Sequence, residues 1–336
     1  MLDLFPSPDT GPFGRRVRHA RAHRIPVTIV TGFLGAGKTT LVKRFLSLPE
    51  GRDTAVVVNE FGAVGIDDAL IRSSADETVL LGNGCLCCNV RSDLQNALRH
   101  LVADRARGEV PHFARVVIET TGLADPGPIL RTFTTDRALG EEFHVDAVVA
   151  VVDAVSGARS LDDFAEARAQ VVLADRLVVS KSDLAGGAIQ KLNERLRALN
   201  PRAEIVTAVN GALDPHYFTE AAPFAGQPFF AEAAHSDGIQ SFVLTESEPL
   251  AFDTFSRFMD TLTALRGGDL LRVKGLLNIA GCNGPVIIQF VQHLAHPPVE
   301  LAAWPDADRH SRVVFIARGL DERKVRGLFD AVRALA

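Results

Sequence analysis

Cysteine is scarce in this sequence, with 4 residues in 336, and so are methionine (2), tryptophan (1) and tyrosine (1). So few thiols cannot staple a disulfide scaffold, and the fold must rest on a hydrophobic core, for which 47% apolar residues suffice. Basic excess is also missing. A net charge of −5 removes the electrostatic ground for sequence-independent nucleic-acid binding, so no nucleic-acid partner is expected. No apolar run approaches the roughly 18–20 residues that cross a bilayer, so no membrane partner is expected either. Residues 1–24 carry Pro, Gly and five Arg between positions 15 and 24, with no apolar stretch or small-residue cleavage site. We read 1–24 as a disordered extension and expect a cytoplasmic chain, where clustered thiols serve as metal ligands or redox groups rather than as disulfides.

What is present is a repeating alternation. Short β-branched runs at 26–30, 54–59, 77–81, 114–119, 145–153, 175–180 and 203–208 are separated by helical patterns such as KTTLVKRFLSL, RSDLQNALRHLVADRA and AIQKLNERLRAL. Apolar runs of that length suit strands buried on both faces, which predicts a doubly wound, mainly parallel α/β domain over 25–210. Residues 211–238 lack a periodic pattern and read as a linker. From 239 to 336 strands follow one another with few helices, which predicts a small α+β domain with an antiparallel sheet.

The first strand leads into TGFLGAGKTTL (31–41), which matches G-x-x-x-x-G-K-[ST] from Gly32 to Thr39 in a strand-to-helix context. Such a loop cradles phosphates: the backbone N–H groups of Gly35, Ala36, Gly37, Lys38, Thr39 and Thr40 converge on phosphate oxygens at a helix N-terminus. Lys38 would reach the β- and γ-phosphates, and the Thr39 hydroxyl would ligate Mg²⁺. An apolar strand then ends in Glu119, placed to hold Mg²⁺, and is followed by Gly122, whose N–H can meet the γ-phosphate. After the sixth strand comes S-K-S-D, Ser180 to Asp183. In the N-K-x-D pattern of GTPases the Asp accepts from the ring N–H and 2-amino group of guanine; adenine lacks that donor pair, so Asp183 would select GTP. Lys181 would pack its stem over the base. Ser180 stands where Asn is usual, and its shorter hydroxyl predicts weaker buttressing of the base-binding loops.

Three of the four cysteines, Cys85, Cys87 and Cys88, fall in LGNGCLCCNV (81–90). Three thiols in a Gly/Asn-rich loop fill a core poorly, make a strained redox pair, and are too few and too close for an iron–sulfur cluster. Metal binding is the favoured reading. Cys282 stands apart and reads as a turn or small core residue.

Together GFLGAGKTT, NEFGAVGIDD (59–68), GNGCLCCNV, ETTGLADP, ADRLVVSKSDL and LLRVKGLLNIAG…VQHLAHPPVELAAWPD resemble the CobW family of P-loop GTPases, over both predicted domains. The resemblance implies a GTPase that carries a transition metal, Zn²⁺ or Co²⁺, on the Cys-x-Cys-Cys loop and delivers it to a client metalloprotein. It also implies slow turnover without metal or partner, and is compatible with a nucleotide-dependent homodimer. Three thiolates leave a ligand shell incomplete, as a carrier needs; the fourth position is open to water or to Glu60. Glu60, Asp67 and Asp68, in that order, are the candidate acids for positioning the attacking water. The resemblance leaves open another class of function, a metal-responsive GTPase adaptor that regulates a partner without transferring metal. The segment where relatives carry a His-rich run keeps one His here, His235, and His content this poor argues against a high-capacity metal store; His293 and His296 read as core or interface positions rather than as ligands.

Overall fold

The structure is a computed structural model that describes residues 24–59, 80–82, 90–201, 203–219, 233–234, 239–291, 294–295, 298–304 and 307–335. These fall into two compact units, Arg24–Ala225 and a second within Gly226–Ala336. In the first, strands β1 (Ile25–Gly32), β2 (Thr54–Asn59), β3 (Leu80–Gly82), β4 (Arg115–Thr120), β5 (Phe143–Asp153), β6 (Arg176–Ser180) and β7 (Glu204–Ala208) form one sheet in the order β3-β2-β4-β1-β5-β6-β7. Every pairing in it is parallel. Helices α1 (Lys38–Leu46), α2 (Val90–Arg107), α3 (Pro126–Thr135), α4 (Arg137–Glu142), α5 (Gly157–Asp163), α6 (Ala165–Leu173) and α7 (Ala188–Leu199) connect the strands, and the short α8 (His216–Thr219) follows β7.

The central strands are apolar at nearly every position because both faces of the sheet are covered. Along β5, Ala147, Val149 and Val151 join one core with Leu41 and Phe45 of α1. Ala150 and Val152 join the other with Leu161, Val171, Leu192 and Leu196. This is the period-two alternation of a strand applied to two buried faces. Register then places functional chemistry at one end of the sheet: Val30 lies opposite Glu119, Gly32 opposite Val151, and Asp153 opposite Ser180. The predicted phosphate loop, the acid and the base-reading loop therefore all leave from carboxyl ends of β1, β4 and β6, where open α/β sheets bind ligands.

The second unit is an antiparallel sheet in the order β12-β11-β10-β14-β9-β8, with β13 paired to β11. Its long strands are β9 (Ile239–Glu246), β10 (Leu270–Leu277), β11 (Val286–Val291) and β14 (Ser311–Arg318); β8 (Ala233–Ala234), β12 (Leu294–Ala295) and β13 (Val299–Glu300) are short. Helices α9 (Phe252–Arg266) and α10 (Glu322–Ala334) close one core around Phe242, Phe258, Phe315 and Phe329, with Cys282 packed half-buried at its margin. Both the α/β and the α+β expectations hold. No helix among the described residues is long and apolar enough to cross a membrane.

The segment read as a linker, 211–238, differs from that expectation at both of its described ends. Phe218 of α8 is buried in the α1 core and stacks on Phe45 at 4.4 Å, while buried Arg176 donates to the Tyr217 carbonyl at 2.7 Å. One helical turn is too short to show a period, which is why the pattern hides it. At the other end β8 pairs with β9.

Candidate nucleotide site

The loop after β1 is shaped by glycine. Gly35 and Gly37 have φ of 72° and 94°, in the left-handed region that costs other residues a Cβ clash. Gly37 thereby delivers the chain into α1, so that successive N–H groups point out of the helix start. Lys38 folds back over the loop, its Nζ donating to the carbonyls of Gly32 at 2.8 Å and Phe33 at 3.2 Å. Two of its three donors are spent on the loop, leaving one for a phosphate oxygen. Burial lowers the Lys38 pKa from its ordinary value, and the nearby Glu119 carboxylate opposes that shift.

Thr39 and Glu119, the two predicted Mg²⁺ ligands, are in direct contact: the Thr39 hydroxyl donates to Glu119 Oε1 at 2.5 Å. Cis ligands on an octahedral Mg²⁺ stand about 3 Å apart at bond lengths of about 2.1 Å. A hydroxyl and a carboxylate this close fit such an ion once they part by about half an ångström, so the donor set suits Mg²⁺. Behind them the Thr120 hydroxyl donates to Thr31 Oγ1 at 3.0 Å, tying β4 to β1 at the site. Gly122 lies directly on the phosphate loop. A Cβ at this position would stand 2.6 Å from the Leu34 nitrogen, so only glycine permits the approach.

The base-reading loop is tied to the same place. Ser180 Oγ donates to the Ala36 carbonyl at 2.6 Å. Lys181, in the left-handed region at φ 54°, donates from Nζ to the Gly35 carbonyl at 2.9 Å and to Asp153 Oδ2 at 2.7 Å. Burial pushes the Asp153 carboxyl up, but Lys181 and the backbone N–H groups of Val155 and Ser156 outweigh it and hold it below the ordinary range. Asp183 follows on a single exposed turn, Ser182–Leu184.

The structure thus brings Gly35, Ala36, Gly37, Lys38, Thr39, Thr40, Glu119, Gly122, Ser180, Lys181 and Asp183 to one edge of the sheet. Glu60, Asp67, Asp68, Cys85, Cys87, Cys88, His235, His293 and His296 lie outside the described residues. Among the described residues no three His, Cys, Asp or Glu side chains gather as a metal site.

Residues 26–207 match the model of the CobW/HypB/UreG nucleotide-binding domain, and residues 239–333 match the cobalamin synthesis protein cobW C-terminal domain. The chain belongs to the CobW/HypB/UreG family. Over 317 residues it is 38% identical to the zinc chaperone YjiA of Escherichia coli, covering 92% of this chain and 99% of that one. It is 36% identical over 198 residues to the zinc-regulated GTPase metalloprotein activator 1 of Schizosaccharomyces pombe, covering 56% of this chain and 47% of that one. The crystal structure of the Zn(II)-bound YjiA GTPase from E. coli is similar with a TM-score of 0.69 at 34% identity, over 92% of this chain and 99% of that one.

Within this CobW/HypB/UreG frame, two residues of the site escaped the motif reading. Asp153 sits at the end of a long apolar strand, a position where an acid is a usable signal. Gln170 of α6 is 1% exposed and donates from Nε2 to the carbonyls of Gly122 and Ala124, both at 3.0 Å. Its signal is a lone amide in the apolar stripe Ala167, Gln170, Val171.

Proposed function

We propose that this chain binds and hydrolyses GTP with Mg²⁺ at the carboxyl edge of its first sheet, and uses that turnover to hand a zinc ion to a client metalloprotein. The zinc is cargo, carried on Cys85, Cys87 and Cys88, with Glu60 as the candidate fourth ligand. The observation that carries the nucleotide half is the convergence of Lys38, Thr39, Glu119, Gly122, Lys181 and Asp183 on one site, through ties between Ser180 and Ala36 and between Lys181 and Gly35. Relatives described as a zinc chaperone and as a zinc-regulated activator of metalloproteins support the cargo half and favour zinc over cobalt.

In this reading the protein performs no covalent chemistry of its own. The loop N–H groups from Gly35 to Thr40 and the Lys38 ammonium bind the phosphate oxygens and stabilise the charge that gathers on them. Thr39 and Glu119 would hold Mg²⁺, which would supply neutralisation of the phosphate charge. Gly122 offers its N–H to the γ-phosphate. Glu60 and Asp67 are the acids proposed to orient the attacking water. Asp183 accepts the two guanine N–H donors, and Lys181 spans from the base-reading loop to the phosphate loop, so base and phosphate recognition share one rigid frame.

The test is a handover assay. Zinc-loaded protein is mixed with a chromophoric zinc chelator in the presence of GTP, a non-hydrolysable GTP analogue, or GDP. Faster zinc release during GTP turnover is the expected result; equal release in all three would overturn delivery. Zinc that stays bound while it accelerates GTP turnover would favour the adaptor reading instead.

A further inference from the structure

We infer that Gln170 is the positioning residue that sets the preference of this site for GTP over GDP, by holding the Gly122–Ala124 turn against the phosphate loop. The inference rests on the guanine-nucleotide reading given above.

Gln170 is placed where a hydrocarbon side chain would serve packing. It lies on the buried stripe of α6 with Ala167 and Val171, and is itself 1% exposed. Both N–H donors of its amide go to the turn, to Gly122 O and Ala124 O. Its Oε1 is buried with no hydrogen-bond partner among the described residues. Burying an unmatched amide oxygen is unfavourable, and a leucine or methionine would fill the same space without it. Rotating the amide to exchange O and N would aim an acceptor at two carbonyls, so the orientation is fixed by the turn. What glutamine supplies over a hydrocarbon is therefore the grip on Gly122 and Ala124.

That turn bears on the γ-phosphate. It is closed by Ala124 N–H donating to Thr121 O at 3.2 Å, and Gly122 rests on Leu34 without room for a side chain. From its other end α6 touches the phosphate loop directly: Phe164, which precedes the helix, packs its ring 4.5 Å from the ring of Phe33. One short helix thus fixes the distance between the two loops that face the phosphates. The other anchors described above, Lys38 on Gly32 and Phe33, Ser180 on Ala36 and Lys181 on Gly35, brace the phosphate loop itself, which serves GDP and GTP alike, and the base-reading loop. None of them acts on Gly122. Loosening the turn should therefore weaken the ligand that has a γ-phosphate and spare the one that lacks it.

The experiment compares wild type with Gln170→Leu, which keeps volume and removes both donors, and with Gln170→Glu, which keeps shape and replaces the donors with a carboxylate. Dissociation constants for GDP and for a non-hydrolysable GTP analogue are measured by titration calorimetry, with thermal melting in parallel. We expect the analogue to bind about tenfold more weakly in Gln170→Leu while GDP changes less than about twofold, two neutral hydrogen bonds being lost. Gln170→Glu should shift the ratio in the same direction and further. A purely structural glutamine would lower the melting temperature and weaken both nucleotides together, and an unchanged ratio in folded variants overturns the inference. Should Gln170→Leu fail to fold, Gln170→Met carries the same ratio test with a more pliant side chain. Wild-type protein that binds neither nucleotide would instead overturn the nucleotide reading beneath it.

Discussion

Ser180 donates its hydroxyl to the Ala36 carbonyl at 2.6 Å, joining the base-reading loop to the phosphate loop across 144 positions of sequence. A serine reaches here because the two loops approach closely: a Cβ placed on Gly37 would be 4.0 Å from Ser180 Oγ. Ser180→Ala removes the tie and leaves a buried carbonyl less well satisfied, at a cost of about 1 kcal/mol. Because the loop serves every phosphate, GDP and GTP should weaken alike, by about fivefold. Fluorescent nucleotide titration checks this, and a change confined to GTP would contradict it.

Asp183 stands on the turn Ser182–Leu184 that follows Lys181, within the loop Ser180 anchors. A carboxylate accepts two N–H donors, as guanine presents; an asparagine presents one acceptor and one donor, as xanthine requires. Asp183→Asn should lower GTP affinity about 100-fold and raise affinity for xanthosine triphosphate. Competition between the two nucleotides reads the switch directly. Retained guanine preference in that variant would remove Asp183 from base recognition.

Phe218 was hidden from the periodic reading, yet it is a core residue of the first unit, 4% exposed and stacked on Phe45. Phe218→Ala should destabilise that unit by about 3–4 kcal/mol through lost burial and the cavity left behind. A fragment ending at residue 210 lacks Phe218, and with it the Tyr217 carbonyl that accepts from Arg176. Denaturant unfolding of that fragment beside one ending at residue 225 should show the shorter to be the weaker.

What the chain displays openly follows from which physics acts locally. β1 and β5 were legible because burial on both faces forces unbroken apolar runs, and the phosphate loop because its glycines and Lys38 are fixed by spacing. Gln170, Asp153 and the reach of Lys181 belong to tertiary packing. Each becomes meaningful only when α6, β5 and the loop after β6 are brought to the phosphate loop. α8 escaped because four residues carry no period. The thiol cluster was legible as chemistry, three soft ligands in a chain otherwise poor in them, and it lies outside the described residues.

Asp153 gives the site an acid-sensitive brace. Its carboxyl is held below the ordinary range by Lys181 and two backbone N–H groups working against burial. A group with a depressed native pKa contributes stability that is complete above its unfolded pKa, about 3.9, and is lost as pH falls through the native value. Lys181 is 41% exposed, so solvent screening limits the gain to about 1 kcal/mol. Asp153→Asn should then be less stable than wild type by about that amount at pH 7, with the gap closing below about pH 4. Urea midpoints measured across that range test the sign; a gap that widens in acid would refute the assignment.

Coupling between cargo and nucleotide should be visible from both sides. In sequence, Cys85, Cys87 and Cys88 fall between β2 and the Glu119 strand β4, the interval in which P-loop GTPases are expected to place nucleotide-dependent switches. If zinc prefers the GTP-bound form by some factor, GTP must prefer the zinc-bound form by the same factor. A coupling of 1–3 kcal/mol, the usual range, corresponds to about 5–150-fold in each affinity. Replacing Cys85, Cys87 and Cys88 by serine should abolish tight zinc binding, leave GDP affinity intact, and erase the effect of zinc on GTP affinity. Calorimetry of zinc into the GDP and GTP-analogue complexes, and of the analogue into protein with and without zinc, closes the cycle. Equal zinc affinities in the two nucleotide states would separate metal carriage from GTP turnover and leave the thiol loop a passive site.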